Sequence, residues 1–321
     1  MKTSLKKILK IVVPIAIGIA LVFYSYHSTS PEDRARILEA IKNANLFWVS
    51  LSVLLGILSH ISRAIRWNYL LEPLGYRPKL RNNLLIILIS YFANILIIRS
   101  GEILRATALN TYEGVPFEKG FGTIVTERIV DLIMLLVLIL MALLFQTDVI
   151  LNILEQNGIG LMGSIGILGV GLIGLIIAIR IIKKSTAPFA VRLKTFLKGL
   201  LDGVLSIFKM KRKSAFVFHT LFIWTCYVAM FWAIKYTVPE TVDLTIGQLL
   251  VAFVAGAFAM TATNGGLGLY PIAVAAALAV FGIDKTAGDA FGWIMWTSQT
   301  LLVVLFGAIS FLILPLLNRT K

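Results

Sequence analysis

The hydrophobic pattern of the chain consists of long apolar segments separated by short polar ones. A membrane-spanning helix needs roughly 20 predominantly apolar residues. Six segments have about this length, and they lie near residues 8–26, 46–68, 119–146, 158–182, 214–236 and 288–316. The pattern therefore predicts six transmembrane helices.

Two further apolar regions, 82–113 and 245–282, are each interrupted near the middle. The first interruption is Arg-Ser-Gly-Glu at 99–102, and the second is the glycine-rich stretch 263–268. Charged or irregular backbone is tolerated at membrane depth only where protein or a water-filled cavity surrounds it. We therefore predict that each region forms a broken helical hairpin.

The distribution of Lys and Arg predicts the orientation of the spans. Basic residues cluster at the N-terminus, in the connection 63–81 and in the connection 180–213, whereas the loops 147–157 and 237–244 carry only acidic charges. Since Lys and Arg are retained on the cytoplasmic side, both chain termini are expected in the cytoplasm. We read the basic N-terminal segment as an uncleaved first span.

This orientation requires each interrupted region to return to the side from which it entered. The region 82–113 would enter from the cytoplasm and the region 245–282 from outside. The alternative is that each arm crosses fully, but the second arms, near 102–113 and 270–281, are short for a span. We favour two re-entrant hairpins, one from each face.

The order span, span, hairpin, span then occurs twice, with the second copy inverted. This predicts a first membrane repeat at 1–182 and a second at 214–321, joined by a cytoplasmic linker at 183–213. The linker has apolar residues at helical spacing over 186–209, which is typical of a helix lying on the inner leaflet. Inverted repeats with broken helices are typical of secondary transporters. Glycine ends helices in many proteins, so a coincidence of turns is the alternative.

Composition supports the membrane interpretation. The chain is 58% hydrophobic and only 14% charged, with a mean hydropathy of +0.89, whereas soluble domains carry about a quarter charged residues. The net charge of +14 belongs to the flanks of apolar spans and does not predict nucleic-acid binding. The single cysteine, Cys226, excludes an intrachain disulfide, and no spacing indicates a metal site or another cofactor.

The candidate site residues are polar or charged residues within the apolar segments. At the first interruption and in the third span these are Arg99, Glu102, Arg105, Glu127, Arg128 and Asp131. The second interruption contributes Asn264, Gly265, Gly266, Gly268 and Tyr270. Arginine beside the start of a half-helix is suited to a phosphate. Alternatively, the carboxylates pair with the arginines and only lock the hairpin to the span.

The run Asn94–Arg105, with Arg-x-Gly-Glu-x-x-Arg, is followed by Glu-Arg-x-x-Asp at 127–131. These motifs resemble the lysylphosphatidylglycerol synthase transmembrane-region family, also called flippase-like or UPF0104. The pair Arg66-Trp67 and the glycines of 265–268 fit the same pattern. The resemblance covers about 45–316.

The sequence departs from the family pattern at three places. Ile97 stands where the family often has Pro, and Asn264 precedes two glycines where the family often has Pro. Pro271 replaces a Glu that is common after the second break, so a role for that charge is not expected here.

The resemblance implies a membrane domain that handles lipids. We hypothesise a flippase of the bacterial-type inner membrane that binds an anionic phospholipid or lipid-linked intermediate, with no catalytic residues and with homodimerisation left open. The chain ends at Lys321, soon after the last span, so synthase activity is not expected. An enzyme or accessory that modifies lipid-linked sugars, using Glu102 or Asp131, is the second hypothesis, and a scaffold without transport is the third.

Overall fold

The computed structural model describes residues 16, 19–27, 29–97, 100–149, 180, 191 and 210–318. The predicted span 158–182, the linker helix 186–209 and Arg99 lie largely or wholly outside these residues, as does much of 8–26. Within the described part the regular elements are helices. Those with defined bounds are α1 Pro31–Lys42, α2 Leu46–Leu71, α3 Leu80–Leu96, α4 Ser100–Glu113, α5 Phe117–Phe145, α6 Lys213–Ile234, α7 Ile246–Ala262, α8 Leu269–Ala279 and α9 Lys285–Leu317.

Four helical segments in this part are long and apolar enough to cross a membrane. With the short 3₁₀ turns that extend α2 and α6, they are Leu46–Leu74, Phe117–Phe145, Lys213–Thr237 and Lys285–Leu317. They coincide with four of the six predicted spans. The chain is therefore an all-helical protein with four candidate transmembrane helices among its described residues.

Each interrupted region forms a pair of shorter helices. In the first region α3 has 17 residues and α4 has 14, and α4 begins at Ser100. Gly101 and Glu102, predicted to lie in the interruption, therefore belong to the first turn of α4. In the second region α7 has 17 residues and α8 has 11, with a 3₁₀ turn at Asn264–Gly266 between them.

Side-chain caps mark the starts of several helices. The first backbone N–H groups of a helix have no partner within it, and Ser, Thr, Asn and Asp supply one. Asn45 accepts from the Phe47 N–H at the start of α2, and Asp284 accepts from the Thr286 N–H before α9. Thr245 and Gln248 form a reciprocal capping box at the start of α7.

The buried apolar side chains of the described residues form two clusters, and helices from both halves of the chain contribute to each. One is built around Trp67, Ile86 and Leu109, and the other around Phe231 and Phe291. Small residues let α9 approach its neighbours closely, as is common between membrane helices. A Cβ at Gly292 would lie 2.7 Å from Pro271 Cα of α8, and one at Gly307 would lie 2.5 Å from Phe92 Cβ of α3.

Candidate functional site

A network of buried charged side chains lies where α2, α4, α5 and α6 meet. From α2, the Arg63 Nη1 atom donates to Glu127 Oε1 over 2.5 Å and to Asp131 Oδ2 over 2.7 Å. The Arg63 Nη2 atom donates to the Tyr227 hydroxyl of α6 over 3.0 Å. Glu127 and Asp131 stand four residues apart on α5, so a single helix face presents both carboxylates to α2.

Arg66 lies one turn after Arg63 and extends the network. Its Nη2 atom donates to Asp131 Oδ1 over 3.0 Å and lies 3.5 Å from Glu127 Oε1. Its Nη1 atom donates to the Thr220 hydroxyl of α6 over 3.2 Å. Arg66 thereby engages the second oxygen of Asp131, so arginines of α2 contact both carboxylates of α5.

Arg105 connects the first interrupted region to α5. It donates to Glu127 through both terminal nitrogens, over 3.2 and 2.8 Å. Its guanidinium carbon lies 3.8 Å from the centroid of a Trp67 ring, a cation–π distance. The Trp67 indole N–H donates to the Thr123 hydroxyl over 2.9 Å. Helices α2, α4 and α5 are thus tied together around one guanidinium.

The network is removed from solvent. The side-chain exposures are 3% for Arg63, 0% for Arg66 and Glu127, 2% for Arg105 and 12% for Asp131. Charges buried in this way are costly unless they are paired and hydrogen-bonded. Three arginines against two carboxylates leave one positive charge in excess among these side chains.

A looser ion pair stands at the edge of this network. Arg128 Nε lies 3.6 Å from Glu102 Oε1, and Arg128 Nη1 lies 3.8 Å from Asp131 Oδ2. The exposed fractions of the side chains are 43% for Arg128 and 25% for Glu102. Both separations exceed hydrogen-bond length, so the two side chains attract one another without being fixed.

The Ser100 hydroxyl and the Gly101 N–H at the first interruption are hydrogen-bonded locally. The Ser100 hydroxyl lies within hydrogen-bond distance of the Ala93 and Ile97 carbonyl oxygens, at 3.0 and 2.9 Å, and the Gly101 N–H donates to Asn94 Oδ1 over 2.8 Å. These contacts meet the requirement for paired backbone at membrane depth. A Cβ at Gly101 would lie 2.1 Å from the Ser90 carbonyl oxygen, so glycine permits the close approach of α4 to α3.

The second interruption contacts the first hairpin. The Asn264 side-chain amide donates to the Leu96 carbonyl oxygen over 3.4 Å, and the Trp296 indole N–H donates to the Gly265 carbonyl oxygen over 2.8 Å. Gly265, Gly266 and Gly268 have φ of 59°, 80° and 73°, the region that glycine adopts most readily.

Tyr270 follows this turn in α8 and fills space beside α7. A Cβ at Gly256 would lie 2.8 Å from the Tyr270 ring. The Asn264 Oδ1 atom is buried and has no hydrogen-bond partner among the described residues. The second interruption is thus a tightly packed backbone turn with one unpaired acceptor.

The predicted site residues therefore fall into two groups. Glu102, Arg105, Glu127, Arg128 and Asp131 form or border the ion network, and the second-break residues form the turn that contacts Leu96. Arg99 lies outside the described residues. The described part contains no group of three His, Cys, Asp or Glu side chains that could hold a metal ion.

The sequence interpretation missed two members of the network. It counted Arg63 and Arg66 among the basic residues of the connection 63–81, although the predicted span 46–68 contains both, and the structure places them buried within α2. The physical reason is that the carboxylates of α5 compensate them inside the protein. Their spacing was the available signal. Residues three or four positions apart share a helix face, so Arg63 and Arg66 can face Glu127 and Asp131 together.

These features define a polytopic helical membrane protein with charged side chains buried between its helices. The family model described as the lysylphosphatidylglycerol synthase TM region matches residues 11–315, and the chain belongs to this family. This confirms the family resemblance inferred from the sequence.

Individual relatives match over shorter stretches. A UPF0104 membrane protein of Methanocaldococcus jannaschii is 31% identical over 99 residues, 30% of each chain, and one of Methanothermobacter thermautotrophicus is 30% identical over 114 residues, 35% of this chain and 32% of the relative. The glycosyltransferase AglD of Haloferax volcanii is 28% identical over 102 residues, 32% of this chain and 16% of that protein. The matches thus span a third or less of these relatives' lengths. No solved structure matches the chain.

Proposed function

We propose that this protein is a lipid translocase that binds the anionic headgroup of a phospholipid or lipid-linked intermediate. The observation that carries the proposal is the charge of the network. With its bordering pair included, the network holds four arginines and three carboxylates within the described residues. Each arginine faces a carboxylate, but the network as a whole carries one more positive than negative charge between candidate transmembrane helices.

An uncompensated charge within a membrane protein costs free energy, so such charges face a pathway or pair with a ligand. The phosphate of a lipid supplies the missing negative charge. Arginine suits this role, because its planar guanidinium donates two parallel hydrogen bonds to phosphate oxygens. The buried carboxylates keep the remaining arginines in place while the headgroup is exchanged.

The proposed architecture has six spans and two re-entrant hairpins, 82–113 from the cytoplasm and 245–282 from outside, in an inverted repeat. Two observations support it: each interrupted region forms a pair of short helices, and Asn264 of the second contacts Leu96 of the first. Broken helices that meet near the midplane bind the substrate in secondary transporters. Both chain termini would then lie in the cytoplasm.

The proposed headgroup site lies between the hairpins. On the first hairpin and α5 it comprises Arg99, Glu102, Arg105, Glu127, Arg128 and Asp131. On the second it comprises Asn264, Gly265, Gly266, Gly268 and Tyr270. The first set supplies charge and the second a close backbone approach, which glycine permits.

A second candidate function is modification of a lipid-linked sugar. The relative named as glycosyltransferase AglD is one observation in its favour. The other is Glu102, whose Oε2 atom is buried without a hydrogen-bond partner in the described part of the chain. Asp131 is less suited to proton transfer, because both of its oxygens accept hydrogen bonds from arginines.

The test is translocation in reconstituted vesicles. A fluorescent phosphatidylglycerol is placed in both leaflets, and a membrane-impermeant reductant reports the fraction that reaches the outside. Wild type is expected to expose the inner-leaflet probe, and Arg105→Ala to slow this exposure. Vesicles with wild-type protein that behave as protein-free vesicles would overturn the proposal.

Lipid extracts distinguish the two candidate functions. A translocase changes the leaflet distribution of a lipid and leaves its composition unchanged, whereas an enzyme produces a new lipid species. Mass spectrometry of extracts from cells with and without the protein therefore separates them. A new product that depends on Glu102, with no leaflet change, would favour the enzyme.

A further inference from the structure

Asn264, in the turn between α7 and α8, has a buried side chain whose two polar atoms differ in their contacts. The residue is 2% exposed. Its amide nitrogen donates to the Leu96 carbonyl oxygen over 3.4 Å, whereas its Oδ1 atom is buried without a hydrogen-bond partner among the described residues. Reversing the amide would place two acceptors against each other. A buried acceptor without a partner is costly, so this oxygen calls for a donor or a cation.

The C-terminal ends of two helices meet at this amide. Helix α7 ends at Ala262, two residues before Asn264, and α3 ends at Leu96. The amide bond to Leu96 joins them, and a Cβ at Gly265 would lie 4.0 Å from Ile95 Cα. The carbonyls of the last helical turn receive no N–H from their own helix, and each C-terminus carries about half a negative charge. Two such ends concentrate negative potential near the free oxygen.

The residues of this junction carry no charged side chain. The stretches 93–97 and 259–271 contain no Asp, Glu, Lys or Arg. Ca²⁺ sites in proteins rely on carboxylates, so a set of neutral amide and carbonyl oxygens favours a monovalent ion. In secondary transporters with broken helices, unwound carbonyls and the C-terminal ends of half-helices bind such ions.

We propose that this junction binds a monovalent alkali cation. Asn264 Oδ1 would be its side-chain ligand, and carbonyl oxygens at the C-terminal ends of α3 and α7 would complete the site. The Trp296 indole N–H donates to the Gly265 carbonyl oxygen over 2.8 Å and so steadies the turn that presents Asn264. The inference goes beyond the proposed headgroup binding, because its ligand is a cation and its unpaired atom is an acceptor.

Thermal unfolding of the full chain in detergent micelles tests the site, with sodium as the probe. Sodium chloride is replaced stepwise by choline chloride, so that ionic strength stays constant. A ligand that binds only the folded state stabilises it more as its concentration rises above its Kd. We expect sodium to raise the unfolding temperature of wild type in a saturable way. Equal unfolding temperatures in both salts would mean that water alone occupies the junction, which would overturn the inference.

Substitutions of Asn264 test the assigned ligand. Asn264→Leu has nearly the same shape without the oxygen and should weaken the apparent sodium affinity roughly tenfold, the scale of one hydrogen bond to a charged group. Asn264→Asp keeps an oxygen and should retain the response. Asn110→Leu is the matched control, because the Asn110 amide also donates to a carbonyl oxygen, that of Val115, over 2.9 Å. It should respond to sodium as wild type does.

A sodium response that Asn264→Leu leaves unchanged would also overturn the inference. If Asn264→Leu does not fold, Asn264→Asp still decides the question. The new carboxylate should make the junction bind Ca²⁺, so calcium should stabilise this variant and not wild type. Equal effects of calcium on both proteins would place the ion elsewhere.

The vesicle assay keeps this inference separate from the proposed translocase. Sodium-dependent stability that requires Asn264, without translocation by wild type, would overturn the translocase and leave the cation site standing. Translocation by a wild-type protein whose stability does not respond to sodium would overturn the cation site and leave the translocase standing.

Discussion

Arg105 donates to both carboxylate oxygens of Glu127, over 3.2 and 2.8 Å. Arg105 belongs to the first hairpin and Glu127 to a candidate transmembrane helix, so this pair fixes the hairpin against the span. Because Arg63 and Arg66 also contact Glu127, one carboxylate compensates three guanidinium groups. Glu127 is therefore the central anion of the network.

Glu127→Gln is expected to destabilise the protein strongly. Loss of the carboxylate leaves buried arginines without a counter-charge, and breaking a buried pair in this way costs about 3–5 kcal/mol. Glu102→Gln is the matched control, because its partner Arg128 is 3.6 Å away and nearly half exposed. We therefore expect this substitution to cost less than about 1 kcal/mol. Unfolding in detergent micelles measures both, and equal losses would contradict the central role of Glu127.

Gly101→Ala is expected to disturb the first hairpin. The added methyl group would lie 2.1 Å from the Ser90 carbonyl oxygen, and backbone atoms cannot move aside as a side chain can. Overpacking of this kind costs about 1–3 kcal/mol. Gly122→Ala in α5 is the control, since a Cβ there meets no atom within 4 Å. Gly101→Ala should lower the thermal unfolding temperature, whereas Gly122→Ala should leave it unchanged.

Much of the site was predictable from residue type and spacing. Charges inside apolar segments are rare, so Glu102, Arg105, Glu127, Arg128 and Asp131 stood out in the sequence. Their pairing was not predictable, because Glu127 is 64 residues from Arg63 and 22 from Arg105. From the sequence alone, these side chains could either bind a phosphate or only lock the hairpin to the span. Spacing within single helices does not distinguish these two roles.

The elements of the fold were likewise predictable from the sequence, whereas the contacts between them were not. Segment length predicted the four candidate spans that the structure describes, and one charged and one glycine-rich interruption predicted the broken helices. The contact of Asn264 with Leu96 joins residues 168 positions apart, which no local pattern encodes. Arg63 was counted with the basic connection and not with the site, because a basic residue near the end of an apolar run looks alike whether it enters a loop or pairs inside the protein.

Asp284→Ala should weaken the start of α9 in a pH-dependent way. Hydrogen bonds from Thr286 lower the pKa of the Asp284 carboxyl below its ordinary value. The stabilisation is therefore present above the ordinary aspartate pKa and is lost as pH falls through the lowered one. Removal of an N-cap costs about 1 kcal/mol, so the variant should differ from wild type at pH 7. The difference should shrink as the carboxyl protonates.

Unfolding in detergent at pH 7 and at about pH 3 checks this dependence. Asp243→Ala, an exposed change in the turn before α7, is the control and should leave stability unchanged at both pH values. A loss for Asp284→Ala that is equally large at low pH would assign the effect to packing and not to the charged cap.

A disulfide between the hairpins tests their contact directly. A Cβ at Gly265 would lie 4.0 Å from Ile95 Cα and 3.4 Å from Ile95 Cγ1, which falls within the reach of a disulfide. With Cys226 replaced by Ser, the pair Ile95→Cys and Gly265→Cys should therefore cross-link under mild oxidation, seen as a mobility shift reversed by reductant. Pairing Ile95→Cys with Gly282→Cys, at the far end of the second hairpin, is the control and should stay reduced. Cross-linking of the control alone would mean that the second break does not meet the first hairpin.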